Sequence, residues 1–277
     1  MDLNTAMLNQ NTCVLINSCS KYSYILHPFF TMLRRWWTDC SYPIYLACDG
    51  DITEYKEKYK INIIEQEEDY GFVEGRLDAL EKLKKYQFVI MLQDDFIIER
   101  YVDSKTLAKL ASIMKDSYNE EDATKHIACI RLMPCPGAEG KEHPNGLKEI
   151  EGACWCKFSF QASIWNRKYY IRFFNDMIES VKKNLYQSHY RKMADEIIND
   201  KKYWLKLWIK NNIAEGRYGA NFTLKYPEIF LGVIRDGSQS NAVYRSPIPY
   251  RPTAIVRGKL EDWAIELFKR EGIKIKV

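Results

Sequence analysis

Four short apolar runs limit what this chain can fold into: TCVLIN (Thr12 to Asn17), YPIYLACD (Tyr42 to Asp49), INIIEQ (from Ile61) and FVIML (from Phe88). They are rich in β-branched and aromatic residues, and FVIML has no polar residue at all, the signature of a strand buried on both faces. Between them lie segments with helical spacing: PFFTMLRRWWTD, ITEYKEKYK and VEGRLDALEKLKKY. In the last, Leu77, Leu80 and Leu83 share one helical face with charges opposite. Apolar strands alternating with helices predict an α/β fold built on a mostly parallel sheet.

The pattern continues past Asp103. SKTLAKLASIMKDSY is an amphipathic helix with Asp103 or Ser104 as N-cap, and HIACIRLMP is another strand. CPGAEGKEHPNG is a loop or irregular hairpin, and FSFQASIW is a strand feeding the helix NRKYYIRFFNDMIESVKKN. A helical region is expected over roughly 186–212, where Trp204, Leu207 and Trp208 form a stripe better suited to a core than to a ligand. A helix from about Leu260 to Glu271 closes the chain. No repeat, low-complexity tract or Gly/Ser-rich linker divides the 277 residues, so one domain is expected.

Composition excludes several classes. Hydrophobic residues at 46% with 28% charged rule out a disordered chain. A formal charge of +4 tolerates an anionic ligand, but without an RNP or zinc-finger motif it gives no reason to expect nucleic acid as a partner. The eight cysteines form no C-x-x-C pair, and several sit inside apolar runs, where thiols act as small hydrophobes. The N-terminus lacks a basic and apolar leader pattern, and no stretch is apolar enough to span a bilayer. The expectation is a reducing, cytoplasmic location.

One feature asks for chemistry. The fourth apolar run stops on two adjacent acids, in FVIMLQDDFIIERYVD, and a second apolar run follows at once. Open α/β sheets bind ligands beyond the carboxyl ends of their strands, where Asp94 and Asp95 fall. Alternation along a strand places Gln93 and Asp95 on one face and Asp94 on the other, unless the chain turns there. Two close carboxylates repel and call for a cation, and hard oxygen ligands suit Mg²⁺ or Mn²⁺, which in turn bridge phosphate oxygens. A turn or cap role for the same acids stands beside this reading.

Taken in order, LINSCSKY, YPIYLACDGD, FVIMLQDDFIIERYVD, FSFQASIW and YRPTAIVRGKL resemble a GT-A-type nucleotide-sugar glycosyltransferase over nearly the whole chain. More narrowly, the chain is similar to bacterial and large-DNA-virus glycosyltransferases that build surface glycans. The resemblance implies a GT-A fold with a helical C-terminal part. About 1–135 would be the nucleotide-sugar half, and about 136–277 the acceptor half with a closing segment. It implies a divalent metal, Mn²⁺ or Mg²⁺, a nucleoside-diphosphate sugar donor with uracil favoured, and a glycan hydroxyl acceptor. If the source is viral, the location becomes the host cytoplasm.

The resemblance also assigns residues. Asp95 matches the metal ligand of a D-x-D type motif, with Asp94 supporting the sugar or the metal shell. Gln93 falls where an Asp is usual, a departure that weakens a ribose contact although its amide still hydrogen-bonds a hydroxyl. Ser18 and its neighbouring amides suit the nucleoside and Lys21 an anion, with a plain polar loop as the competing reading. Asp49 is the candidate for uracil or ribose, against an Asp-Gly turn. Arg76 is implied at the diphosphate or donor sugar, against a helix-surface arginine. Glu196, then Asp195, match the carboxylate base of an inverting enzyme by approximate spacing, without the usual aromatic lead-in. Gln161 and Trp165 are candidates for a sugar pocket, with Trp165 as a core anchor the alternative. Arg257 and Lys259, beside Gly258, suit a segment closing over the diphosphate.

Two other classes compete. A sugar-nucleotidyltransferase also binds metal through strand-end acids, but it calls for a Gly-rich basic loop after the first strand, and NSCSKYSYILHP has no glycine. A non-catalytic carbohydrate-binding module would use the aromatics and have little need of paired acids. A Rossmann dehydrogenase is excluded, since no G-x-G-x-x-G follows any predicted strand.

Overall fold

The computed structural model describes residues 11–67, 71–133, 138, 140–144, 146–150, 160–187, 228–233 and 246–275. The expected helical stretch at 186–212, with Trp204, Leu207 and Trp208, lies almost wholly outside them, as do Asp195 and Glu196.

The first half alternates as its apolar runs demand. Strand β1 (Thr12–Asn17) leads through a 3₁₀ turn, Ser20–Ile25, into helix α1 (Leu26–Trp36). Then come β2 (Ile44–Cys48), α2 (Thr53–Tyr59), β3 (Asn62–Glu65), α3 (Gly71–Lys82) and β4 (Phe88–Gln93). Pairing is parallel throughout this half, in the order β3-β2-β1-β4. That is the doubly wound arrangement, and the strand order reverses between β1 and β4.

The second half adds β5 (Ile97–Ile98), α4 (Ser104–Ser117), β6 (Ile127–Arg131) and a hairpin, β7 (Glu142–His143) with β8 (Leu147–Glu149). Strand β9 (Ser163–Asn166) feeds α5 (Arg167–Gln187), and β10 is Ile229–Val233. The described chain closes with β11 (Tyr250–Arg251), β12 (Ile255–Val256), β13 (Lys259–Leu260) and α6 (Asp262–Arg270). Asp103 caps α4, accepting from Thr106 N at 3.0 Å.

The sheet continues from β4 through β9, β6, β10, β8 and β7, nine strands in all among the described residues. Strand β9 runs antiparallel between β4 and β6, and β8 runs antiparallel to β10. The other strands share one direction, so the α/β, mostly parallel architecture holds. The antiparallel insertion of β9 and the strand β10 were not foreseen. Reading each apolar run as another βα unit misses both, because direction is set by what a strand lies beside.

Each face of the sheet carries its own core. On β4, Phe88, Ile90 and Leu92 join one apolar cluster and Val89 and Met91 the other, all essentially buried. Each contributes about 1.5–3 kcal/mol through burial. Such a strand cannot shift register, since a one-residue slip would exchange the two sets. Its C-terminal end is therefore held in a fixed place. Cys13, Cys48 and Cys129 are free and buried, filling core positions as expected of thiols in apolar runs.

Candidate functional site

The strand order reverses between β1 and β4, the point where doubly wound sheets bind their ligands, and the two acids follow the carboxyl end of β4 there. The chain does turn after Gln93: Phe96 N donates to Gln93 O at 3.1 Å, so Asp94 and Asp95 occupy the two central positions of a β-turn. A turn accounts for their proximity but not for their burial.

Asp94 is 8% exposed and accepts a 2.5 Å hydrogen bond from Ser18 Oγ, which joins the end of β4 to the loop after β1. Burial pushes its carboxyl up to about 7, and the neighbouring Asp95 charge adds to the rise, while Ser18 and Arg76 oppose it. Burial pushes Asp95 up to about 6, partly offset by its own backbone amide and Arg76. Asp95 Oδ1 is buried and has no hydrogen-bond partner among the described residues. A buried carboxylate oxygen without a donor is costly to keep charged, so the site suits a ligand that supplies positive charge.

Arg76 is 2% exposed, which sets aside the helix-surface reading. It falls on the stripe of α3 formed with Val73 and Leu80, spaced for one helical face. Gln66, at the end of β3, holds that helix by donating from Nε2 to Gly75 O at 2.6 Å. The Arg76 guanidinium lies 4.8 Å from the Phe160 ring centroid, and Gln93 Nε2 donates to Phe160 O at 3.1 Å. Gln93, Arg76 and Phe160 thus form one group beside the acids.

Asp49 ends β2, yet its carboxylate is engaged locally. Oδ1 accepts from Ser20 N at 2.5 Å, and Oδ2 from Ser20 Oγ at 2.8 Å. Gly50 fits the same contact: a Cβ there would lie 2.9 Å from Ser20 Cβ. Lys21 lies over the Tyr22 ring at 5.5 Å.

The C-terminal segment is built onto the acid turn. Strand β11 pairs with β5, and Glu99 N donates to Pro249 O at 3.1 Å. Ala254 N donates to the main-chain oxygen of Asp95 at 3.2 Å. Just before it, Thr253 holds φ 66°, a left-handed conformation that its branched side chain resists. Beyond it, β12 and β13 form a hairpin whose two-residue turn, Arg257 (φ 50°) and Gly258 (φ 79°), has the type I′ signs. Tyr24 OH donates to Gly258 O at 3.4 Å. Burial, and after it the nearby Tyr22 and Asp94, pushes the Tyr24 phenol up. Arg257 and Lys259 are exposed on this hairpin.

Gln161 and Trp165 part company. Trp165 is 1% exposed, its ring stacked on Tyr170 at 4.4 Å and edge-on to Phe230, so it is a core anchor. Gln161 Oε1 accepts from Tyr250 OH at 2.6 Å. The structure therefore brings together Ser18, Arg76, Gln93, Asp94 and Asp95, with the hairpin of Arg257 and Lys259 attached. It leaves Asp49 engaged by Ser20 and Trp165 in the core. Sequence reading missed Tyr24, Phe160 and Tyr250, single aromatics whose partners lie more than eighty residues away or in another element. Only the i, i+3, i+7 spacing of Val73, Arg76 and Leu80 offered a signal, for the burial of Arg76.

Among the described residues no group of three or more His, Cys, Asp or Glu side chains could hold a metal ion. A cation at Asp95 and Asp94 would complete its shell with phosphate oxygens and water, the usual habit of Mg²⁺ and Mn²⁺. The pair fits that role, with one orphaned buried oxygen and two carboxyls whose charge is disfavoured without a counter-ion.

No protein-family model and no curated protein matches the chain. Solved structures resemble it at low identity. S. aureus TarS residues 1–349 in complex with UDP is 14% identical, over 60% of this chain and 48% of that one, with a TM-score of 0.38. The glycosyltransferase GlyE of Streptococcus pneumoniae TIGR4 is 12% identical over 97% of this chain and 66% of its own, with a TM-score of 0.36. CMP:2-keto-3-deoxy-manno-octonic acid synthetase complexed with CTP is 11% identical over 84% and 95%, with a TM-score of 0.37. The chain spans only 29% of the longer TarS structure. Likenesses this distant carry no function across.

Proposed function

We propose that this chain is a metal-dependent glycosyltransferase that moves a sugar from a nucleoside-diphosphate donor, with UDP favoured by the family resemblance, to a glycan hydroxyl. One observation carries the reading: a buried and a half-buried carboxylate at the switch point of a doubly wound sheet, the second with a buried oxygen that no described residue satisfies. Asp95 would hold the cation, with Asp94 supporting it from the Ser18 hydrogen bond. When bound, a divalent cation offsets the charge of the departing diphosphate.

The remaining parts are the chain's own. Arg76 lies near enough for its charge to favour the ionised form of both acids, and it and Gln93 meet at Phe160. Arg257 and Lys259, on the hairpin that follows the Ala254 contact with the Asp95 carbonyl, would pair with the diphosphate. In an inverting transfer the acceptor oxygen bonds to the anomeric carbon, and the carbon–oxygen bond to the diphosphate breaks with its electrons going to the leaving oxygen. The acceptor proton passes to a carboxylate, for which Glu196 is proposed, with Asp195 second. The loop after β1 contains no glycine to cradle a triphosphate, which favours transfer over nucleotidyl chemistry.

A thermal-shift screen tests the reading. Mn²⁺ with UDP, at about a hundredfold excess over Kd, should raise the melting temperature by roughly 5–10 °C, with little effect from either alone. Asp95→Asn should abolish that shift. A shift that needs no metal and survives the substitution would remove the metal role. With a suitable acceptor, Glu196→Gln should keep donor binding and lower turnover by about 10²–10⁴-fold; undiminished turnover would place the base elsewhere.

A further inference from the structure

Tyr250 is fully buried at a junction the reaction scheme does not use. Its ring stacks on Phe96, the residue after Asp95, with centroids 4.4 Å apart and planes 20° from parallel. Its hydroxyl is fixed twice at the start of β9, accepting from Ala162 N at 3.0 Å and donating to Gln161 Oε1 at 2.6 Å. The flanking residues bind the strand that leaves the acid turn, through the β11–β5 pairing and the bond from Glu99 N to Pro249 O. Four residues on, Ala254 N reaches the Asp95 carbonyl. The segment from Pro249 to Ala254 therefore lines Asp95 to Glu99, and the Tyr250 hydroxyl is where it is pinned to the sheet.

From this geometry we infer that Tyr250 is a positioning residue for the acid turn, acting through Phe96, and that Gln161 serves it as the anchor. The inference rests on the proposed metal role of Asp95 for its consequence in binding, but not for its mechanical part. A β-turn has few bonds of its own, and the main chain of this one is closed by the hydrogen bond from Phe96 N. What keeps its carboxylates in place must come from outside, and a stacked ring held by two hydrogen bonds supplies that constraint. The same contact links the acid turn to the hairpin bearing Arg257 and Lys259, because both hang from the segment that Tyr250 anchors.

Tyr250→Phe keeps the ring and removes the hydroxyl; Gln161→Leu removes the anchor from the other side and serves if the first variant folds poorly. In each, amide hydrogen exchange at Glu99 and Ala254, whose N–H groups report docking of the segment, should quicken at least tenfold. Mn²⁺-supported UDP affinity should fall by about tenfold, and the double variant should lose no more than either single one. Wild-type exchange in both variants, or faster exchange with unchanged Mn²⁺ affinity, would overturn the positioning role. If the wild-type protein binds no Mn²⁺ with UDP, the proposed function fails, and the exchange measurement alone decides whether Tyr250 holds the turn.

Discussion

Two parallel strands of the same sheet, β2 and β4, are each followed by aspartate after an apolar run, IYLAC and FVIMLQ. At β2 the carboxylate of Asp49 is consumed at once: both oxygens accept from Ser20, and the residue ties one loop to another. At β4 Asp94 is buried and held by a single hydroxyl, and Asp95 has a buried oxygen left without a donor among the described residues. An acid at a strand end is thus no sign of function in itself. What separates the two is whether the protein already satisfies it, and an unsatisfied buried carboxylate keeps its capacity for a ligand.

This contrast can be broken most directly by binding. Asp95→Asn should reduce Mn²⁺-supported UDP affinity by more than a hundredfold in calorimetric titration, whereas Asp49→Asn should change it by less than threefold. Equal losses would mean that the two strand ends do the same work.

The pH dependence of the ligand-free protein gives a smaller effect. Asp94 has a folded value of about 7 against an ordinary 3.8, because burial disfavours its charge. The stability tied to its protonated form is fully present below 3.8 and is lost as pH rises towards about 7. Asp94→Asn should flatten the decline in unfolding free energy between pH 4 and 7, and Asp49→Asn should leave it in place. An unchanged slope in Asp94→Asn would show that the acid turn is not the strained partner. The smallest effect is expected from Asp49→Ala, which removes two local hydrogen bonds and should cost about 1–2 kcal/mol in denaturant unfolding while sparing the ligand response.

The sequence made much of the first half legible. TCVLIN is strand β1 to the residue, and the acids were placed at the end of β4 because an apolar run buried on both faces leaves no other place for them. A cap at Asp103 or Ser104 follows from residue type and position, since capping is a contact between near neighbours, and the structure selects Asp103. Arg76 was assigned to the donor by resemblance, with the helix surface as its competitor. Its burial against Phe160 depends on a contact eighty-four residues away, which no local pattern encodes. Trp165 was divided between pocket and core, and Tyr170 stacked on its face decides for the core.

The chain's own order of residues determined which segments are strands, which face of each helix is apolar, and that two carboxylates end the fourth strand, because these depend on periodicity and burial over a few positions. Tertiary structure alone decided that β9 enters antiparallel beside β4, that Ser20 neutralises the interest of Asp49, and that Tyr250 returns from the far end of the chain to brace the turn bearing Asp95. Those outcomes rest on contacts between groups distant along the chain. Whether a polar atom is satisfied can be known only once its neighbours have arrived.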